Sequence, residues 1–380
     1  MEFEFSDSQK QLKDEARKFL ASRSSMQVVR SILDGPESYD RQLWAELGQM
    51  GFLATAIPEE YGGAGAGFVE LCAIAEEMGR ALAPAPFSSS IYLAASLILE
   101  AGSEAQKQAY LPAIASGEII ACVAFSEGAG QPQLDMSNVV VRSGKLSGVK
   151  LPVLDGDVAD VAIVLAQDVE QSEASVSLFI VDLKGEGVVR EALRTIDPTR
   201  GQARVEFSSA PCERLGEPGS GTEILGAAFD RTAILLAFEQ VGGAERALEI
   251  ARDYAQERVA FGRPIGSFQA IKHKLVDMYI AVMLARSNAY FGAWAVDAGD
   301  SQIGVAASAA RVSATYAFQY CSTECCQIFG AMGYTWEADC HLFFKRARLL
   351  ALVLGGQSHW GDRLVEEVKQ HRRSTREQPQ

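Results

Sequence analysis

The chain has 380 residues, with 49 Asp and Glu against 35 Lys and Arg, for a formal charge of −14 at neutral pH. Apolar residues at 48% and charged residues at 22% are globular proportions, and the length allows two or three domains with substantial cores. The acidic balance leaves no obvious basic face for a phosphate backbone, which argues against nucleic acid, and the absence of an 18-residue apolar run argues against a membrane span.

The N-terminal stretch MEFEFSDSQKQLKDEARKF is acidic and mixed rather than basic then apolar, unlike a secretory leader. Residues 1–118 read as a helical domain. Ser6 and Asp7 can cap a helix that carries Leu12, Ala16 and Leu20 on one face. PEEYGG (Pro58–Gly63) and the pair Pro84 and Pro86 punctuate further helices. Across 119–222 the period shortens. VAIVLAQ, VSLFIVDL and ARVEFSS are Val- and Ile-rich runs between Gly, Asp and Pro, so a β-domain of barrel or sandwich type is expected, closed by GEPGSG (Gly216–Gly221).

Helices return over 223–370. The first is expected from about Ile224 to Arg258. A second starts at Ser267 with Phe268, Ile271, Leu275, Met278, Val282 and Ala285 spaced by threes and fours, and stops at Gly299. A third runs from about Ile303 to Phe329 and a fourth from about Glu337 to Leu354. Short connections make these an antiparallel four-helix bundle, with 371–380 left as a flexible tail. The fold class is therefore α+β, mainly α, in the order helical, β, helical. Seven scattered cysteines (Cys72, Cys122, Cys212, Cys321, Cys325, Cys326 and Cys340) in mostly apolar settings read as reduced thiols of a cytoplasmic protein.

Three segments could carry chemistry. RVAFGRPIGSFQAIK sets Arg258 and Arg263 around a turn between two long helices, where a forked guanidinium could grip a pyrophosphate, or simply cap a helix. CQIFGAMGYT ends a helix in Gly-x-x-Gly, which permits close approach of a cofactor or makes a C-cap. VAFSEGAG runs a strand into a turn with Ser126 and Glu127, able to bond a flavin edge or to form an ordinary turn.

Together with PEEYGG and the three-part order, these segments resemble the acyl-CoA dehydrogenase family over almost the whole chain. The family's Arg-x-x-Phe-Gly pattern with a following Gln is seen as Arg258, Phe261, Gly262 and Gln269. The resemblance implies a tetramer that holds FAD between subunits and oxidises an acyl-CoA between its α and β carbons. A Glu takes the α proton, and an electron-transfer flavoprotein or equivalent accepts the electrons. It further implies that Arg258, Phe261, Gln269, Gln327, Gly330 and Ala331 reach a neighbour's FAD, while Phe125 and Ser126 wall the subunit's own flavin.

The departures are concentrated. Where the family carries its catalytic Glu in a Tyr-Glu-Gly turn, this chain has Val353, Leu354 and Gly355; at the family's second base location it has Thr232 and Ala233. Thr is too weak a base to take a carbon-bound proton. Glu239, seven residues on and about 10 Å along the same helix face, is the one displaced candidate. Pro152 and Leu154 stand where a flavin-stacking Trp and a Thr are usual. Groups serving the subunit's own site are depleted and those reaching a neighbour's are kept. The pattern resembles the base-lacking chain of bacterial α2β2 enzymes acting on CoA thioesters of steroid side chains or other bulky acids.

Other readings are weaker. Ser358, His359 and Asp362 lie too close in sequence for a hydrolase triad, and Trp360 breaks the G-x-S-x-G elbow. Cys321, Cys325, Cys326, His341 and His359 lack zinc-knuckle spacing, and GGAGAGF does not fit G-x-G-x-x-G.

Overall fold

The computed structural model of the chain describes residues 5–170 and 175–377. Helices α1 (Asp7–Arg23), α2 (Met26–Asp34), α3 (Arg41–Gln49), α4 (Phe68–Arg80), α5 (Ser96–Ala101) and α6 (Glu104–Ser116) come first. Strands β1 (Ala121–Ala124), β2 (Val140–Arg142), β3 (Lys145–Leu154), β4 (Val161–Asp168), β5 (Ser175–Asp182), β6 (Val188–Ala192), β7 (Gln202–Pro211) and β8 (Glu213–Leu215) follow. Then come α7 (Gly221–Glu257), a two-residue hairpin of β9 (Val259–Ala260) and β10 (Arg263–Pro264), α8 (Gln269–Asp297), α9 (Ile303–Phe329), α10 (Cys340–Leu350) and α11 (Gln357–Glu377). The helical, β, helical order matches the sequence expectation.

Contacts gather these elements into two units that cut across chain order. One comprises Met1–Gln27, Phe68–Ala83 and Ala233–Gln380; the other comprises Val28–Gly67 and Pro84–Thr232. Helices α1 and α4 thus group by their contacts with the C-terminal helices.

In the first unit, Ser6 caps α1 and forms a capping box with Gln9. This satisfies two of the amide groups that a helix start leaves unbonded. Helices α4 and α7 cross with almost no gap: a Cβ at Gly79 would lie 1.8 Å from the Glu239 carbonyl oxygen, and one at Gly242 1.8 Å from that of Glu76. On α8 the expected seam holds at Met278, Val282 and Ala285, which are buried. A second apolar stripe, Val276, Tyr279, Ile280, Met283 and Leu284, faces solvent. No helix among the described residues is long and apolar enough to cross a membrane.

Two expectations need correction. The fourth bundle helix, expected to Leu354, stops at Leu350, and a fifth follows over Gln357–Glu377. Residues 371–377 are thus helical rather than tail, while 378–380 lie outside the described residues. The tail reading failed because this helix is polar almost throughout. Good helix formers and ion pairs one turn apart, Arg363–Glu367 at 3.6 Å and Lys369–Glu366 at 2.7 Å, sustain it instead of an apolar stripe. The QSHWG run is accordingly the first turn of α11.

The second unit is built on one mixed sheet in the order β6-β7-β3-β2-β4-β5-β8, with β1 parallel to β4. Both β4 and β5 are buried over most of their length, which is why they read as continuous apolar runs. A π-helical segment, Ser88–Ala95, is buried throughout and joined to β1 by the Ala121 amide donating to Ser90 Oγ at 3.1 Å. Beneath it Asp155 accepts from Ser89 Oγ at 2.6 Å and pairs with the buried Arg200 at 3.2 Å.

Candidate functional site

The turn after α10 is where the family resemblance places the catalytic Glu. Leu354 occupies it with φ +59°, a left-handed backbone that L-residues disfavour, and its side chain is 3% exposed. Two buried donors hold the turn. Arg311 of α9 donates to the carbonyls of Leu350 and, at 2.7 Å, Val353; the indole of Trp360 donates to Leu354 O at 3.1 Å. A cation at these carbonyls meets the negative end of α10. Burial pushes the Arg311 guanidinium down to about 10, with the Glu239 charge acting in the opposite sense. Neither Arg311 nor Trp360 is apparent from motif reading, although Arg311 is the only charged residue in 303–323.

The other two base positions are also committed elsewhere. Thr232 is 2% exposed and its hydroxyl donates to Tyr92 O at 3.1 Å. Glu239, equally buried, lies 3.7 Å from Nη1 of the buried Arg346, which in turn donates to Leu82 O at 3.3 Å. Its neighbour Gln240 accepts from Arg311. Glu239 and Gln240 thus anchor two buried arginines that tie down the chain after α4 and after α10.

The residues expected to reach a neighbour's cofactor behave oppositely. Arg258, Phe261, Gln269, Gln327 and Ala331 are all exposed. Phe261 is the extreme at 95% exposure; it and Gly262 both take positive φ at the tip of the β9–β10 hairpin, as a two-residue hairpin turn requires. Arg263 stacks over Phe268, 4.2 Å from the ring centroid, and stiffens the hairpin base. Tyr254, near the end of α7, stacks on Phe329, at the end of α9, with centroids 3.9 Å apart and planes 13° apart. That stack brings the hairpin beside the turn carrying Gly330 and Ala331. Gly330 has φ +62° and nothing within 4 Å of where a Cβ would stand, so its backbone is open to a ligand.

In the other unit, the Phe125 ring meets Phe229 edge-on at 4.9 Å. Ser126 O accepts from the Leu151 amide at 2.9 Å, while the half-buried Ser126 hydroxyl has no hydrogen bond among the described residues. Glu127 is fully engaged: Lys150 Nζ reaches it at 2.7 Å, Ser137 Oγ at 2.6 Å and Asn138 Nδ2 at 2.7 Å. These donors outweigh partial burial and hold its carboxyl down at about 2. The turn reading of Glu127 accounts for it without a ligand. Pro152 is exposed, and Leu154 is half-buried.

Ser358, His359 and Asp362 sit within six residues of one helix, where their side chains fan apart rather than converge. Burial, then the Arg363 charge, push the His359 imidazole below its usual range. Among the described residues no group of three or more His, Cys, Asp or Glu could hold a metal ion. A cavity of about 550 Å³ against α1 and α8 is lined by Phe5, Lys13, Arg286 and Tyr290, but both cations already pair with Glu76, at 2.6 and 2.8 Å.

Comparison with known proteins points to one family. Residues 6–118 match the N-terminal domain of acyl-CoA dehydrogenase and residues 219–360 its C-terminal domain. Acyl-CoA dehydrogenase IpdE2 of Mycobacterium tuberculosis (strain ATCC 25618 / H37Rv) is 33% identical over 359 residues, covering 94% of this chain and 96% of that protein. A variant of the Tcur3481-Tcur3483 steroid ACAD superposes with a TM-score of 0.86 at 29% identity, covering 96% of this chain and 98% of the other. The ChsE4-ChsE5 complex from Mycobacterium tuberculosis gives 0.86 at 26% identity with both chains fully covered. The chain belongs to the acyl-CoA dehydrogenase family.

Proposed function

We propose that this chain is the base-lacking subunit of a heteromeric acyl-CoA dehydrogenase, supplying FAD contacts in trans to a homologous chain that carries the catalytic Glu. The observation that carries this reading is the split in exposure. All three base positions are buried and occupied by Leu354, Thr232 or the Arg346-paired Glu239, whereas Arg258, Phe261, Gln269, Gln327 and Ala331 project to solvent. The substrate in this reading is the CoA thioester of a steroid side chain or a similarly bulky acid, supported by the steroid ACAD among its structural relatives. The electron acceptor is an electron-transfer flavoprotein or an equivalent carrier.

The exposed residues suit FAD. Arg258 offers a forked donor for a pyrophosphate, Gln269 and Gln327 offer amides, Phe261 an aromatic face, and Gly330 an unobstructed backbone. FAD, when bound, supplies the hydride acceptor for α,β-dehydrogenation. In this reading this chain's own residues hold and orient, and the partner chain's Glu takes the α proton. The outward stripe on α8, from Val276 to Leu284, is an apolar face of the kind that a partner helix covers. A homotetramer using Glu239 is disfavoured, because that carboxylate would have to leave a buried arginine before accepting a proton.

The test is to purify the chain alone and together with the homologous subunit that co-purifies, then measure bound flavin and dye reduction by acyl-CoA. Substoichiometric flavin alone, with turnover only on mixing, is expected. Full flavin occupancy with turnover by this chain alone would overturn the proposal.

A further inference from the structure

The cavity of about 550 Å³ against α1 and α8 is lined by none of the residues that the proposed function uses. Its walls are of two kinds. Phe5, Tyr290 and Phe291 give ring surface, with Phe5 meeting Tyr290 edge-on at 4.8 Å. Lys10, Lys13 and Arg286 give positive charge, and no Asp or Glu is part of the lining. The acids stand behind the cations. Lys13 and Arg286 side chains keep 15% and 18% exposure, whereas Glu76, which they meet at 2.6 and 2.8 Å, keeps 1%.

That pairing does not neutralise the cations. In the ion-pair cluster joining α1, α4, α7 and α8, Lys13, Arg17, Arg80, Arg246 and Arg286 share only Glu76, Glu77, Glu245 and Glu249, so one positive charge is in surplus. In a chain of formal charge −14 this is a local exception. Arg286 also holds a donor in reserve. Both of its carboxylate contacts run through Nη2, while Nη1 donates to the thioether sulfur of Met283 at 3.9 Å, a weak acceptor in the cavity wall.

We propose that this cavity binds an anionic amphiphile, a free carboxylic acid with an apolar body, at a site separate from those for acyl-CoA and FAD. The carboxylate takes the Arg286 Nη1 donor from the thioether and lies beside the Lys13 charge, so it links α1 to α8. The apolar body covers the rings of Phe5, Tyr290 and Phe291. The cavity falls within the range of roughly 300–1,000 Å³ usual for small-molecule sites. A neutral ligand leaves the surplus charge unanswered, and a cationic one is repelled by it.

The inference does not depend on the heteromer reading, since every lining residue belongs to this chain. Dodecanoate, dodecanol and dodecyltrimethylammonium, each below its micelle concentration, are titrated into the full chain by isothermal calorimetry. One dodecanoate per chain is expected, bound about tenfold or more tighter than dodecanol, with no saturable binding of the cation. Added FAD should leave this binding unchanged. Ser287→Trp, which puts an indole into the cavity wall from an exposed position, should abolish it, and Lys10→Gln should weaken it several-fold, both with unchanged circular dichroism. Leu284→Gln, on the outward stripe of α8 and not in the lining, should leave it intact. Equal affinity for dodecanol, competition by FAD, binding that survives Ser287→Trp, or binding lost in Leu284→Gln would overturn the proposal.

Discussion

Leu354 stands in a backbone conformation that costs a non-glycine residue roughly 1 kcal/mol or more, and it does so with its side chain buried. A position so constrained is held by its surroundings, here Arg311 and Trp360, rather than by its own preference. Replacing Arg311 with Met should remove donors from the carbonyls of Leu350 and Val353 and lower stability by about 3 kcal/mol, read as a fall in the denaturant midpoint. Glu239 offers a sharper test. Glu239→Gln leaves Arg346 buried beside a neutral amide, so a loss of about 2–4 kcal/mol in stability is expected. Activity of the assembled enzyme per folded molecule should be unchanged; selective loss of kcat with intact stability would instead identify Glu239 as the base. On the exposed side, Arg258→Ala should weaken flavin retention by the assembled enzyme tenfold or more while leaving the melting of the isolated chain unmoved, because Arg258 carries no buried contact. Unchanged flavin affinity would remove Arg258 from the contact set.

Helices α4 and α7 meet through glycines, not through interdigitated side chains. Ordinarily Gly→Ala within a helix stabilises by up to about 1 kcal/mol. At Gly242 the added methyl would sit 1.8 Å from the Glu76 carbonyl oxygen, and backbone cannot step aside as a side-chain tip can. Gly242→Ala should therefore destabilise by roughly 1–3 kcal/mol, with the sign opposite to helix propensity. A half-buried helical glycine such as Gly226, with nothing within 4 Å of where its Cβ would stand, is the matched control and should gain slightly. The same contrast explains what was legible at this scale. Long helices and the Val-rich strands announce themselves by period, so α7, α8, α9, β4 and β5 appear close to their observed bounds. Helix α11 was not legible because polar formers and ion pairs, not an apolar stripe, maintain it.

Around α4 the chain is held by ionised groups. Glu76, fully buried, takes Lys13 at 2.6 Å and Arg286 at 2.8 Å; Glu249 takes Arg80 and Arg246, the latter at 3.0 Å. Burial acts to raise both carboxyls, but their cations outweigh it and leave both below the ordinary value of 4.5; Glu127 in the β-bearing unit falls to about 2. An acid depressed on folding contributes stability that is complete above its unfolded pKa and is lost as pH falls through its folded one. Melting temperature should therefore hold between pH 6 and 8 and drop steeply from about pH 4.5 towards pH 2, measured by calorimetry at fixed ionic strength. A flat profile there would mean that these pairs persist unchanged in the unfolded chain.

Taken by itself, the sequence determined the class, the order of helical and β segments, the family through Arg258, Phe261 and Gly262, and the absence of Glu from the usual base positions. Those features are local: periodicity, turn chemistry and residue identity need no distant partner to be read. Tertiary structure alone decided that α1 and α4 pack with the C-terminal helices, that Glu239 belongs to Arg346, and that Arg311 holds the Leu354 turn. Each of these joins residues from separate elements, and a carboxylate, a cation or a thiol has the same identity in sequence whether it is solvated or paired. Its chemistry is set by its neighbours, and only the folded chain specifies them.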